Sequence, residues 1–148
     1  MAATPHRCSV LFIDDDPDVQ EVVRVALTAD GYSVAGAGSA RDAIDYLRSH
    51  ADTCAILLDL MLPEVAGNEF RRIQLRDRSL AWIPVIVISA AVDGERVARE
   101  LGAAAFVRKP LDVDELRRVT AMVTSKSRLH GQGSVELAGG EAGPLSSG

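Results

Sequence analysis

A chain of 148 residues with 47% apolar content can bury one hydrophobic core, which leaves no room for a second large domain. A formal net charge of -5 and a pI near 5.1 argue against a nucleic-acid-binding surface, which would be basic. No apolar run reaches the roughly 18 residues of a membrane span, and "MAATPHRCS" lacks the apolar middle of a signal peptide, so no membrane association and a cytoplasmic address are expected.

Along the chain, apolar runs alternate with helical patterns. The first run, "SVLFI", passes straight into Asp14, Asp15 and Asp16. Asp16 is suited to cap a helix with Pro17 at its first position, running to about Ala29 and closed by Gly31 in a left-handed turn. Its expected inward stripe is Val19, Val22, Val23, Ala26 and Leu27. After the strand "SVAGA", Ser39 opens a second helix, with Asp42 three residues on where a capping box would carry Glu or Gln. The strand "CAILL" ends at Asp59, and a third helix is expected from near Asn68, where the "RRIQLRDR" charges read as a solvated face. Trp82 precedes the strand "PVIVIS", which ends at Ser89. The segment "GERVARELG" reads as a fourth helix stopping at Gly102, before the strand "AAFVRK" and its terminal Lys109. A fifth helix follows Pro110, with Asp112 or a neighbour as its cap and Leu116, Val119 and Val123 facing inward.

The third and fourth strands are nearly all apolar, as in strands buried on both faces of a parallel sheet. Five strands alternating with five helices predict an open, doubly wound α/β domain with right-handed crossovers. The expected boundaries are a short extension over 1–6, the domain over 7–125, and a flexible Gly/Ser-rich tail over 126–148, which holds half of the chain's 12 glycines. Cys8 and Cys54 have no metal-ligand spacing and are too few for a disulfide scaffold, so both read as small core or near-core residues in a reducing compartment. His6, His50 and His130 are scattered and read as surface or loop histidines.

In a doubly wound sheet, chemistry gathers outside the carboxyl ends of the strands. That rule places Asp14, Asp15, Asp16, Asp59, Ser89 and Lys109 on one rim. Clustered carboxylates raise one another's pKa or recruit a hard cation, and oxygen donors suit Mg2+, with Mn2+ as the alternative. A carboxylate beside such a cation is a nucleophile able to accept a phosphoryl group, whose oxygens a lysine and a hydroxyl can neutralise.

Four stretches in order, "VLFIDDDPDV", "AILLDLMLPEVAGNEF", "PVIVISA" and "LGAAAFVRKP", resemble the receiver domains of bacterial two-component response regulators. The likeness spans about Arg7 to Ser125. It implies a flavodoxin-like five-stranded sheet of order 2-1-3-4-5 and a stand-alone chemotaxis-regulator-like receiver. Asp59 would be the phosphoacceptor. Asp14 and Asp15 would form the acidic pair for Mg2+, with Asp15, Asp59 and the backbone carbonyl of Met61 as ligands. Ser89 and Lys109 would contact the incoming phosphoryl group, Ser89 and Phe106 would act as the switch, and the Lys109–Pro110 bond is a candidate cis peptide. The donor implied is a sensor histidine kinase or a histidine phosphotransfer protein. The protein would be no enzyme beyond its own phosphorylation and slow dephosphorylation, and would signal through the surface of its fourth helix, fifth strand and fifth helix.

The chain departs from that pattern in two places. The segment from Ser89 to Lys109 is slightly short, so the fourth helix is expected to be abbreviated. Ala66 stands where an acidic residue is common, and Met61 and Ala91 give the site an apolar mouth, from which a long-lived phosphoryl group is expected. The residues after the fifth helix are too few and too polar for a helix-turn-helix domain, so output through an unidentified partner protein is expected, without direct nucleic-acid binding. Two rivals stand beside this reading. One is a receiver-like interaction module that is never phosphorylated. The other is a haloacid-dehalogenase-like phosphohydrolase using Asp14 and Asp16, which would need a further acidic pair on a strand after Lys109.

Overall fold

The computed structural model describes the backbone of residues 8–14, 16–60 and 64–139, and their side chains apart from 64–68 and 127–139. Five strands, β1 (Ser9–Ile13), β2 (Ser33–Ala37), β3 (Thr53–Asp59), β4 (Val85–Ser89) and β5 (Ala105–Arg108), form one parallel sheet of order β2-β1-β3-β4-β5. The helices are α1 (Pro17–Ala29), α2 (Ala40–Ser49), α3 (Glu64–Arg76), α4 (Arg78–Ala81), α5 (Gly94–Glu100) and α6 (Val113–Gly139).

Strand periodicity divides the core into two layers, because successive side chains point to opposite faces of the sheet. Leu11, Ile13, Ile56, Leu58, Val85 and Val87 face one layer, closed by Ile44, Leu47, Phe70, Leu80 and Ala98 from α2 to α5. Val10, Phe12, Leu57, Ile86 and Ile88 face the other, closed by Val23 and Leu27 of α1 and by Leu116, Val119 and Val123 of α6. The three inner strands β1, β3 and β4 are buried throughout, as their unbroken apolar runs require, whereas the edge strands β2 and β5 are only partly covered.

Helix ends follow local chemistry. Asp16 caps α1 by accepting from the Asp18 amide at 2.9 Å, and Ser39 caps α2 by accepting from the Asp42 amide at 3.1 Å. Gly31 (φ 97) and Gly102 (φ 72) take the left-handed conformation just beyond α1 and α5.

Several expectations are corrected. Among the described residues there are six helices rather than five, because Asp77, accepting from the Ser79 amide at 3.0 Å, caps an additional short turn over Arg78–Ala81. The third helix begins at Glu64, earlier than Asn68. Val22 is 45% exposed: at 100° per residue, the stripe Val23, Ala26 and Leu27 centres on the core and leaves Val22 at its flank. The "RRIQLRDR" stretch is not simply a solvated face, since Gln74 is fully buried and donates to the carbonyls of Leu80 and Ile83 at 3.0 and 2.9 Å. Arg71 turns inward with it, donating to the carbonyls of Leu101 and Gly102 at 2.7 and 3.0 Å.

The cysteines are also corrected, because Cys8 and Cys54 are joined by a disulfide across a Cα–Cα distance of 5.9 Å. The register of β1 against β3 shifts between Ser9 and Val10, which brings Cys54 beside Cys8, a juxtaposition that spacing along the chain does not reveal. Beyond residue 126 the backbone continues as helix to Gly139, in a stretch expected to be a flexible tail. Extending a helix that packing has already nucleated costs far less than starting one, so Gly131 and Gly133 do not stop it. Trp82 precedes β4 at the amino end of the sheet, and its indole donates to the Ser79 carbonyl at 3.0 Å.

Candidate functional site

The carboxyl ends of β1, β3, β4 and β5 deliver Asp14, Asp59, Ser89 and Lys109 to one rim. Ile13 pairs with Leu58, so the residues that follow, Asp14 and Asp59, stand side by side. Asp59 pairs with Ile88 and Ser89 with Arg108, which brings the next residues, Ser89 and Lys109, onto the same edge. Backbone bonds beyond the strands extend the alignment: Asp14 N to Ala37 O at 3.0 Å, Leu60 N to Ile88 O at 2.9 Å, and Lys109 N to Ser89 O at 3.0 Å. The Lys109–Pro110 peptide bond is cis.

Lys109 spans the site. Its Nζ lies 2.5 Å from Asp59 Oδ2, with the lysine side chain 17% exposed and the carboxylate fully buried. Asp14 is also buried; its Oδ1 accepts from the Asp16 amide at 3.0 Å, while among the described residues its Oδ2 has no donor at hydrogen-bond distance. Burial pushes the Asp14 carboxyl up to about 7, and the adjoining Asp59 carboxyl adds to this by hydrogen bonding and like charge. The Asp16 amide and Lys109 oppose the rise. A buried acceptor lacking a donor, set beside a second carboxylate, is what a hard divalent cation would satisfy, so these two residues fit Mg2+. Asp15 and Met61, the other expected ligands, lie outside the described residues, and among the described residues no group of three His, Cys, Asp or Glu is placed to hold a metal.

Ser89 is buried, and its Oγ accepts from the Ala91 amide at 3.0 Å. Phe106 is half-buried against the layer under α2 to α5, with the Arg108 guanidinium 5.1 Å above its ring. Gly94, at the start of α5, meets both: a Cβ there would stand 3.0 Å from Ser89 Oγ and 3.1 Å from Phe106 Cε1. Sequence reasoning passed over Gly94 because its neighbours come from other strands and leave no local signal. It also passed over Gln20, whose Nε2 donates to the main-chain carbonyl of Asp14, and over Arg108, whose Nη1 donates to Ala91 O at 3.0 Å.

His50 serves its own helix end, stacked on Tyr46 at 3.8 Å with Nδ1 2.9 Å from the Tyr46 carbonyl. His6 and the side chain of His130 lie outside the described residues. α5 is a short helix of 7 residues.

The model of the response regulator receiver domain family matches residues 10–121 of this chain, which belongs to that family. The response regulator Rre1 of Synechocystis is 31% identical over 133 residues, covering 88% of this chain and 57% of that protein. The polar-differentiation response regulator DivK of Brucella ovis is 34% identical over 108 residues, covering 71% of this chain and 86% of that protein. Against Rre1 and the transcriptional regulator RpaA of Synechocystis, the chain spans 57% and 51% of their length. Among solved structures, the receiver domain of a LuxO repressor protein from Vibrio parahaemolyticus superposes with a TM-score of 0.73 at 23% identity, over 85% of this chain and 96% of that one. Chemotaxis regulator CheY4 of Vibrio cholerae gives 0.71 at 22% identity, over 79% and 98%. At those identities the superpositions establish the fold, an α/β receiver fold of the flavodoxin-like kind. Family membership makes the chain a two-component signalling domain with a phosphoacceptor role.

Proposed function

We propose that this protein takes a phosphoryl group onto Asp59 from a phosphohistidine on a sensor histidine kinase or phosphotransfer protein, and passes the signal by protein contacts in the cytoplasm. The observation that carries this reading is the Lys109 ammonium 2.5 Å from a fully buried Asp59 carboxylate, beside an Asp14 oxygen that lacks a donor among the described residues. An Asp59 oxygen attacks phosphorus, the P–N bond to the donor imidazole breaks with its electron pair leaving on nitrogen, and an acyl phosphate remains on Asp59. Lys109 shields the charge gathering on the transferring oxygens, and the Ser89 hydroxyl donates to the same group. Asp14, Asp15, Asp59 and the Met61 carbonyl would hold Mg2+, or Mn2+, which when bound supplies positive charge opposite the phosphoryl oxygens.

Phosphorylation replaces the Asp59–Lys109 pair with a larger, more negative group. Ser89 then moves toward it, and Phe106, which shares Gly94 as a neighbour, follows, altering the surface of α5, β5 and α6. The downstream target is a protein, not nucleic acid. The hydrolase reading is disfavoured after Lys109: Asp112, Asp114 and Glu115 open α6, with the Glu115 amide donating to Asp112 Oδ1 at 3.2 Å, and no strand follows β5 among the described residues.

The test is exposure of the full chain to phosphorylated kinase, or to acetyl phosphate with Mg2+, followed by peptide mapping. Label on Asp59 that Asp59→Asn abolishes supports the reading. Label or beryllofluoride on Asp14 would point to the hydrolase, and no label from any donor to the unphosphorylated module.

A further inference from the structure

Gln20 lies at the end of the first turn of α1, and its side chain folds back to donate from Nε2 to the main-chain carbonyl of Asp14. Asp14 is the first residue past the β1 ladder, whose last pairs are Ile13 with Ala37 and with Leu58. Its amide is held by Ala37 O and its Oδ1 by the Asp16 amide, so the carboxamide of Gln20 holds the remaining backbone polar group of Asp14, the carbonyl of the peptide that follows it. Room for this carboxamide comes from Gly36 on β2: a Cβ there would approach Gln20 Cδ and Nε2 to 3.3 Å. A cleft of about 260 Å³ between α1 and β2 borders both residues and is walled by Phe12, Pro17 and Arg24.

We propose that Gln20, seated against Gly36, is the positioning residue that locks the acidic turn for divalent-cation binding. The inference rests on reading that turn as the Mg2+ site. Gln20 touches neither the cation nor the phosphoryl group in this account. It fixes the peptide that follows Asp14, and so, with the Ala37 contact on the preceding one, the backbone from which the buried Oδ2 is aimed. Without the donor, that peptide can rotate about its flanking bonds, while the two packed layers that hold the fold are untouched. Groups that orient metal ligands from outside the coordination sphere typically govern affinity by about tenfold or more.

The test is calorimetric titration of the metal-free full chain with Mg2+, alongside thermal unfolding in chelator. Gln20→Met keeps the length of the side chain and loses the donor, and is expected to weaken Mg2+ binding by about tenfold with unfolding in chelator little changed. Gly36→Ala, which crowds the carboxamide, is expected to shift affinity in the same direction. Gln20→Arg retains a donor, has the cleft to occupy, and is expected to restore affinity. Unchanged affinity in Gln20→Met would overturn the proposal while leaving the metal site standing. A loss matched by equal destabilisation in chelator, and not recovered by Gln20→Arg, would reduce Gln20 to a structural role. Wild-type protein that takes up no Mg2+ would instead overturn the reading of the acidic turn, and this inference with it.

Discussion

Burial of Asp14 beside Asp59 places a carboxyl where its ionised form is disfavoured, and that has a consequence for stability. The folded-state pKa is raised from 3.8 to about 7, so the folded protein keeps a proton that the unfolded chain has already released. Stability from this residue is therefore greatest below about pH 4 and is lost as pH rises toward 7. In chelator, wild type is expected to lose melting temperature between pH 5 and 8 relative to Asp14→Asn, and Mg2+ to restore more of it at pH 8. A wild-type profile parallel to that of Asp14→Asn would contradict the assignment. Also at this scale, Ala91 is exposed at the mouth of the site and offers no polar side chain to orient water against a phosphorylated Asp59. Phosphorylated protein without a phosphatase is expected to decay over minutes or longer, and radiolabel lost within seconds would refute this.

At the scale of elements, Arg71 ties α3 to the end of α5. Its guanidinium donates to the carbonyls of Leu101 and Gly102 and, at 2.8 Å, to Gln74 Oε1, so the charge is met by the unsatisfied carbonyl end of a helix. Burial lowers its pKa below the ordinary arginine value, yet three hydrogen bonds hold the charged form in place. Arg71→Ala is expected to cost about 2 kcal/mol in urea unfolding, and Arg71→Lys to recover little, because a single ammonium cannot reproduce the planar fork. Full recovery by lysine would mean that charge alone matters there. The amphipathic stripes and caps of α1 and α2 were legible in sequence, since both are local. The inward turn of Arg71 and Gln74 was not, because carbonyls from α4, α5 and the approach to β4 become their partners only after the chain has folded.

At the scale of the whole molecule, the sheet brings Cys8 to Cys54, closing a loop with a sequence separation of 46. Loop closure of that length restricts the unfolded chain and is worth about 2–4 kcal/mol. Unfolding of the oxidised protein is expected to shift to lower temperature with reductant, by the same amount as in Cys54→Ala. Alkylation and mass measurement that find two thiols in the oxidised protein would exclude the bridge. The sheet also determines which residues meet, and here the chain order of strands was a sound guide, since parallel strands must send their carboxyl ends to one edge.

The sequence by itself determined the alternation of strands and helices, the burial of the three inner strands, and the rim that collects Asp14, Asp59, Ser89 and Lys109. These follow from periodicity, from caps and from the direction of parallel strands, all of which are written locally. Only the tertiary structure decided that Asp14 keeps an oxygen without a donor among the described residues, that Lys109 closes on Asp59, that Gly94 underlies both Ser89 and Phe106, and that Gln20 grips the Asp14 carbonyl. Each of these depends on distances between side chains from different elements, and such distances are set by packing, which no spacing along the chain encodes.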